Sequence, residues 1–348
     1  MNKPAEIREN VSLRTLNSLA IDASARWYAD VNSDDQLAAL LAFADREGLE
    51  TLILGGGSNM VFAGDFDGLV LHMALTGRRW EQVEGDSAVL ALGAGENWHD
   101  AVLYAAAAGY RGIENLALIP GTAGAAPVQN IGAYGVELRD SLVSVTVLDR
   151  DTGDWQVLAN EDCDFAYRDS LFKHQPGRYV IVELRLRLNR SQPLALGYAD
   201  LRDYFKAQKT DELTPLDVAQ AVMAVRRRKL PDPQQMPNAG SFFKNPVVSL
   251  AQWEALKADN PDMPGYPGRE TAKLAAAWLI DQCGWKGFRD ERVGVHNRQA
   301  LVLINHSGGS GADVLALADR IQRDVDARFG VQLEREPGVI PARKASGA

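Results

Sequence analysis

The stretch Asn115–Glu137, NLALIPGTAGAAPVQNIGAYGVE, concentrates residue types that can hold an anion through the main chain. Gly121, Gly124, Gly132 and Gly135 stand among small residues, Pro120 and Pro127 break any long element, and no apolar period of 3.6 or 2 runs through it. Glycine admits positive φ and lets another molecule approach the backbone, so successive N–H groups can converge on a diphosphate. The stretch is expected to be loop or loop-flanked helix. A tightly held cofactor and a small-residue packing segment both fit its composition. A second cluster, Gly55-Gly56-Gly57-Ser58-Asn59, follows the apolar run TLIL and reads as a strand entering a phosphate-facing turn. It fails the dinucleotide fingerprint, because Met60 holds the third glycine position; Gly93-Ala94-Gly95 fails likewise with Trp98 there. A Rossmann domain is therefore not expected.

Two further segments carry polar groups that fit no simple period. Phe165–Lys173, FAYRDSLFK, mixes aromatic and charged residues; a solvated loop and a ligand-facing Arg168 both suit it. Residues 238–246, NAGSFFKNP, set Ser, Lys and Asn around two adjacent Phe. The run Arg226-Arg227-Arg228-Lys229 closes a helix, where the dipole favours cations, and most of it needs no ligand to explain it.

The elements that must position these groups alternate along the chain. Ser33 with Gln36 reads as a capping box for a helix carrying Leu37, Leu40, Leu41 and Ala44, stopped by Gly48. LVLHM and AVLAL read as strands, and Asn97 caps a helix through Ala108. SVTVLDR and YVIVELRLRL alternate with period two, with Asp151–Asp154 as a turn between strands. After the polar segment DLRDYFKAQKTDEL, Thr214-Pro215 opens a helix with Leu216, Val218, Val222 and Val225. The last third reads as helix 271–283, strand 300–305, helix 310–329 with a Ser310/Asp313 box and Gly330 as its stop, and strand 331–334. The tail PARKASGA reads as disordered.

Composition sets outer limits. At 348 residues with 46% hydrophobic content the chain can bury substantial cores in two or three domains. A net charge of −9 argues against a nucleic-acid or acidic-membrane surface, so an anionic ligand needs local cations. Two cysteines in no CxxC suggest neither a disulfide framework nor a zinc cluster, and no metal is expected. The start lacks an apolar signal core, and the Ala-rich run at 105–108 is too short to span a bilayer; a cytoplasmic home is the expectation.

Six fragments in order, GGGSN (55–59), NLALIPGTAGAAPVQNIGAYG (115–135), YRDSLFK (167–173), KLPDP (229–233), NAGSFFKNP (238–246) and LIDQCGWKG (279–287), resemble the UDP-N-acetylenolpyruvoylglucosamine reductases. These are FAD-dependent enzymes of peptidoglycan precursor synthesis. The resemblance covers nearly the whole chain. It implies an α+β fold: a two-part FAD-binding region of the vanillyl-alcohol-oxidase type plus a C-terminal α/β substrate domain. The parts would be 1–70 (to which the tail 335–348 returns), 71–212 and 213–334. Tyr266, in DMPGYPG, resembles the subtype that closes a tyrosine loop over the substrate.

The resemblance also implies site residues. Gly55, Gly56, Gly57, Ser58, Asn59, Pro120, Gly121, Thr122, Gly124, Ala125, Gln129, Asn130, Gly132, Ala133, Tyr134 and Gly135 would surround FAD. Ser58 is no tethering residue, so the FAD would be non-covalent. Arg168, Ser241 and Glu336 fall where the family's catalytic residues lie, and Tyr198, Lys229, Asn245, Tyr266 and Lys286 where it holds the substrate's nucleotide diphosphate. The tail departs from the family: Leu-x-x-Glu spacing selects Glu336 over Glu334, but Pro337 and Gly338 replace a valine and a basic residue. Arg335 is the candidate to supply that missing charge. The implied reaction is NADPH-dependent reduction of an enolpyruvyl ether to a lactyl ether through FAD. Its rivals are another flavin oxidase or dehydrogenase of the same fold and a non-catalytic nucleotide-sugar binding protein.

Overall fold

The computed structural model describes residues 4–341, so most of the tail expected to be disordered lies outside the described residues. The described residues fall into two compact units: the first takes those up to 11, 26–56 and 67–228, and the second 12–25, 57–66 and those from 229 on.

The first unit holds two sheets. One takes the order Arg8–Ser12, Ser24–Val31, Phe66–Met73, Thr51–Leu54, the last two strands being parallel with Thr51 opposite Leu69. Leu37, Leu40, Leu41 and Ala44 of the helix Asp34–Glu47 pack on its apolar face, against Val31, Leu69 and Leu71. The Ser33 hydroxyl caps this helix as expected, accepting from Gln36 N–H, but the Gln36 side chain accepts from Asn32 N–H, one residue before the expected reciprocal partner. The other sheet is antiparallel, in the order Trp155–Ala159, Leu142–Asp149, Tyr179–Asn189, Ser87–Gly93, Arg78–Glu84. Its inward residues, Leu90, Leu92, Val145, Val147, Leu184 and Leu186, share a core with Trp98 and Val102 of the helix Trp98–Ala107 and with Val218 and Val222 of the helix Pro215–Lys229. Thr214 and Asp217 cap the second of these helices reciprocally, which fixes where it starts.

In the second unit the strands Asn238–Ser241, Val302–Asn305 and Val293–Val295 form an antiparallel sheet backed by the helix Gly311–Phe329. Ser310 and Asp313 make the expected capping box, and Gly330 ends the helix at φ +61°. Two expectations fail here. Residues 271–283 are not one helix: Thr271–Leu274 is the middle strand between Val247–Ser249 and Gly265–Pro267, and only Ala276–Gln282 is helical. Ladder partners on both sides satisfy the backbone of a four-residue segment that its own composition would have left helical. Residues 331–334 form no strand; pairing begins only with an isolated bridge from Arg335 to Phe243. The chain then runs as Gly338–Ile340 in parallel beside Met60–Phe62.

Candidate functional site

In the first unit the central stretch is a chain of short 3-10 turns, Glu114–Leu116, Ala123–Ala125 and Pro127–Gln129, followed by a tight hairpin. Tyr134 and Gly135 at its tip both have positive φ, as a two-residue turn of this hand requires. The stretch is anchored to the N-terminus of the helix Trp98–Ala107: Trp98 N–H donates to Gly121 O, its indole N–H to Leu116 O, and Leu118 N–H to His99 Nδ1. Ala123 N–H and Gly124 N–H bond the carbonyls of Glu96 and Ala94. The loop 93–97, set aside as a failed fingerprint, is therefore part of this assembly, and its signal was the Gly-Ala-Gly itself.

Glycine is needed here for close approach. A Cβ on Gly56 would lie 2.8 Å from Gly121 Cα, and one on Gly124 2.5 Å from Ala94 Cβ. A Cβ on Gly55 would meet the Thr122 hydroxyl at 2.5 Å, and that buried hydroxyl has no hydrogen-bond partner among the described residues. Buried polar atoms are ordinarily paired, so an orphan hydroxyl beside two converging glycine turns fits a cradle for the polar backbone of a dinucleotide such as FAD.

Arg168 belongs to this assembly. Its guanidinium donates to the carbonyls of Gly132 (2.7 Å) and Asn130 (3.4 Å), and Lys173 Nζ in turn bonds the Arg168 carbonyl. Asn130, wholly buried, ties the hairpin down through Glu137, Arg139 N–H and Ala166 O. The φ of Arg168 is +55°, a strained conformation costing about 1–3 kcal/mol for a residue with a side chain, and one that sets where the guanidinium goes. The segment 165–173 is thus an ordered scaffold. Tyr198 packs edge-on against Tyr134, ring centres 5.2 Å apart. Burial pushes the Tyr134 phenol up from its ordinary pKa, opposed by the charge of Arg226.

Arg226 is the exception in a basic run most of which the helix dipole accounts for. Among the described residues its Nε is buried without a partner, and desolvation lowers its pKa. Its position four residues after Val222 on the buried face was the signal that could have found it.

In the second unit Ser241 ends the strand Asn238–Ser241, opposite Val302. The buried Asn238 accepts Gly240 N–H at 2.8 Å, holding Gly240 at φ +70° and aiming the next residue. Phe242 and Phe243, both buried, lock the strand end into the core. Beside them lies the tail: Glu336 N–H donates to Phe242 O at 3.0 Å, Phe243 bridges to Arg335, and Lys244 N–H donates to Glu334 O. Ser241 and Glu336 are thereby brought to one place, while Glu334 turns outward to an ion pair with Lys244. Arg335 does not supply the missing charge; its guanidinium is taken by Asp319 and Gln322 of the last helix. Asn59 reaches this place as well, its carbonyl accepting Gly338 N–H at 3.1 Å.

The remaining residues of the second unit are placed as follows. Lys229 ends its helix. Asn245 Oδ1 caps the helix Ala276–Gln282 by accepting Ala276 N–H, leaving its amide N–H groups to donate elsewhere. Tyr266 is 63% exposed on a short strand, with Lys273 over its ring. Lys286, in a turn, pairs with Asp281. Among the described residues no helix is long and apolar enough to cross a membrane.

The glycine cradle suits the polar part of a dinucleotide, and an FAD binding domain model matches residues 25–159, which makes the class an FAD-dependent oxidoreductase. The C-terminal domain model of UDP-N-acetylenolpyruvoylglucosamine reductase matches residues 232–340. The chain is 49% identical over 335 residues to the enzyme of that name from Pseudomonas aeruginosa and 48% over 339 residues to that from Chromobacterium violaceum; each match covers 96% of this chain and 99% of the relative. The chain belongs to the UDP-N-acetylenolpyruvoylglucosamine reductase family. The solved reductase of Thermus caldophilus shares the fold, with a TM-score of 0.68 and 24% identity over 96% of this chain and all of that one.

Proposed function

We infer that the chain is the reductase that takes hydride from NADPH, through FAD, to the enolpyruvyl ether of UDP-N-acetylglucosamine, giving UDP-N-acetylmuramate for peptidoglycan synthesis. Family membership across nearly the whole chain supports this reading. The observation that carries the chemistry is the juxtaposition of Ser241 and Glu336 through the Glu336 N–H to Phe242 O bond. The FAD-surrounding residues inferred from sequence would hold the cofactor without a covalent tether; when bound, FAD supplies the hydride relay.

The chain's own residues handle charge and protons. Hydride addition to the terminal enol carbon leaves negative charge on the adjacent carbon, which spreads into the substrate carboxylate. Arg168 stabilises that charge, and a protonated Glu336 shares its proton with the carboxylate. Ser241 delivers the proton to carbon, a step its weakly acidic hydroxyl can make only when held in contact with a basic carbanion. Tyr198, Lys229, Asn245, Tyr266 and Lys286 bind the diphosphate, where cations and donors offset the chain's net charge of −9. The parts assigned are 1–70 and 71–212 for FAD and 213–334 for substrate, with the tail from 335 returning to the first. The enzyme works in the cytoplasm.

The purified protein is expected to be yellow and to release all its colour on acid precipitation. Anaerobic NADPH should bleach it, and the enolpyruvyl ether should restore the colour. Bleaching without restoration would favour another flavin oxidoreductase. A colourless protein that binds the sugar nucleotide would favour a binding protein.

A further inference from the structure

Glu96, Asn97 and Trp98 clasp the turn that follows Pro120. Ala123 N–H donates to Glu96 O at 2.8 Å, Asn97 bridges to Thr122, and Trp98 N–H donates to Gly121 O at 3.1 Å. The clasped turn carries the Thr122 hydroxyl, which has no hydrogen-bond partner among the described residues, and it packs so closely on Gly56 that no Cβ fits between them. The loop 93–97 that leads into the clasp contains Gly93 and Gly95, so it has little of its own to hold its shape. Its first half is held by backbone, Gly93 N–H donating to Gly77 O and Gly95 N–H to Leu75 O. Its second half depends on side chains, and that of Asn97 is engaged by the helix it caps, accepting Asp100 N–H. Glu96 is left to anchor the clasp from behind. Although an acid, it is only 8% exposed: Oε1 accepts Gly77 N–H at 2.7 Å, and Oε2 meets Arg78 Nε at 3.0 Å. Arg78 also donates to the Asp100 carbonyl in the first turn of the helix Trp98–Ala107.

We propose that Glu96 is a positioning residue of the cofactor cradle: its carboxyl sets the place of the turn 121–123 that receives FAD, and Arg78 is the counter-charge that allows a carboxylate to do so beside an anionic cofactor. This rests on the reading of the two glycine turns as the FAD cradle. Placement and charge are separable here. Placement comes from the oxygen that accepts Gly77 N–H, and an amide oxygen at 96 can take over that bond. The negative charge adds nothing to placement and opposes a diphosphate unless Arg78 neutralises it, and a buried carboxylate deprived of its partner is costly in itself. Arg78 is in a different position, because its side chain is 35% exposed and can turn to water when Glu96 is replaced. Losing the cation should therefore do more harm than losing the anion's charge, and removing both should undo part of that harm.

The test titrates FAD into the full-length apoprotein, at a temperature where the melting curve of each variant shows it folded, and reads the dissociation constant. Glu96→Ala should weaken FAD about ten-fold or more, and Glu96→Gln should recover most of that loss because its amide oxygen still accepts Gly77 N–H. Arg78→Met, which strands the carboxylate, should weaken FAD by about ten-fold as well. Arg78→Met combined with Glu96→Gln should then bind FAD more tightly than Arg78→Met alone, a rescue that a role in stability alone does not produce. The proposal is overturned by Glu96→Ala that binds FAD as the parent does, whatever its melting temperature, and by Glu96→Gln no better than Glu96→Ala. A combined variant no better than Arg78→Met overturns it too. Should Glu96→Ala fail to fold, the comparison of Arg78→Met with the combined variant decides. A parent apoprotein that takes up no FAD sinks the cradle reading together with this one, which distinguishes the two failures.

Discussion

In the first unit the cradle is shaped by atoms that are missing, for a Cβ on Gly56 would sit 2.8 Å from the Gly121 backbone. In the second unit Ser241 and Glu336 are ordinary side chains on ordinary hydrogen-bonded backbone, a strand end and the tail beside it. The two regions therefore differ in what each can tolerate. A change of residue size in the cradle moves backbone against backbone and threatens the fold, whereas the hydroxyl of Ser241 and the carboxyl of Glu336, the groups proposed to act on protons, can be replaced with less disturbance of the backbone around them.

The largest effect expected from this contrast is kinetic. Ser241→Ala should bleach with NADPH at close to the parent rate, yet regain colour about a hundred-fold or more slowly when the enol ether is added in a stopped-flow cell, with its melting temperature little changed. Both half-reactions staying within a few-fold of the parent would leave Ser241 as no more than a turn residue. Glu336→Gln should show a comparable loss and Glu334→Gln almost none, because the Glu334 carboxyl is exposed and paired with Lys244. Loss in the Glu334 variant alone would mean that the tail is read in the wrong register.

Next in size is Gly56→Ala, whose added methyl meets unyielding backbone. It should destabilise by about 1–3 kcal/mol and yield protein depleted of yellow colour. A variant as stable and as yellow as the parent would remove the distinction between the two regions. The smallest effect is at Thr122, whose buried hydroxyl is unpaired. Thr122→Val should leave the apoprotein as stable or slightly more so, by up to about 1 kcal/mol, while weakening FAD binding several-fold by titration. Destabilised apoprotein with unchanged FAD affinity would mean that the hydroxyl serves the fold.

The same contrast explains what sequence could show. Local signals were legible where one residue's side chain bonds a backbone group three positions away, as at Asn97, Thr214 and Ser310. Strands with sustained alternation, such as Tyr179–Asn189, were equally plain. The cradle was legible as glycine content, but the part taken by Ala94 and Glu96 was not, since their carbonyls matter and their side chains give no sign of it. Thr271–Leu274 was misread because four residues are too few to show a period and the neighbours that pair with it lie at other places in the chain. Arg226 hid among three companions of the same charge. Only the helix core decides which of the four turns inward.

The pairing of the tail also sets an order of events during synthesis. Met60–Phe62 is made early, but its partner Gly338–Ile340 emerges only after Glu336, which lies 277 residues beyond Asn59. Chains fold as they are made, and contacts between distant residues come late. The strand edge at residues 60–62 therefore waits, unpaired, through most of translation, and the carboxyl of Glu336 arrives with the segment that finally covers it. A chain cut short before that point would keep the cradle's glycines but lack Glu336, and its strand edge at residues 60–62 would be without the partner that Gly338–Ile340 gives it.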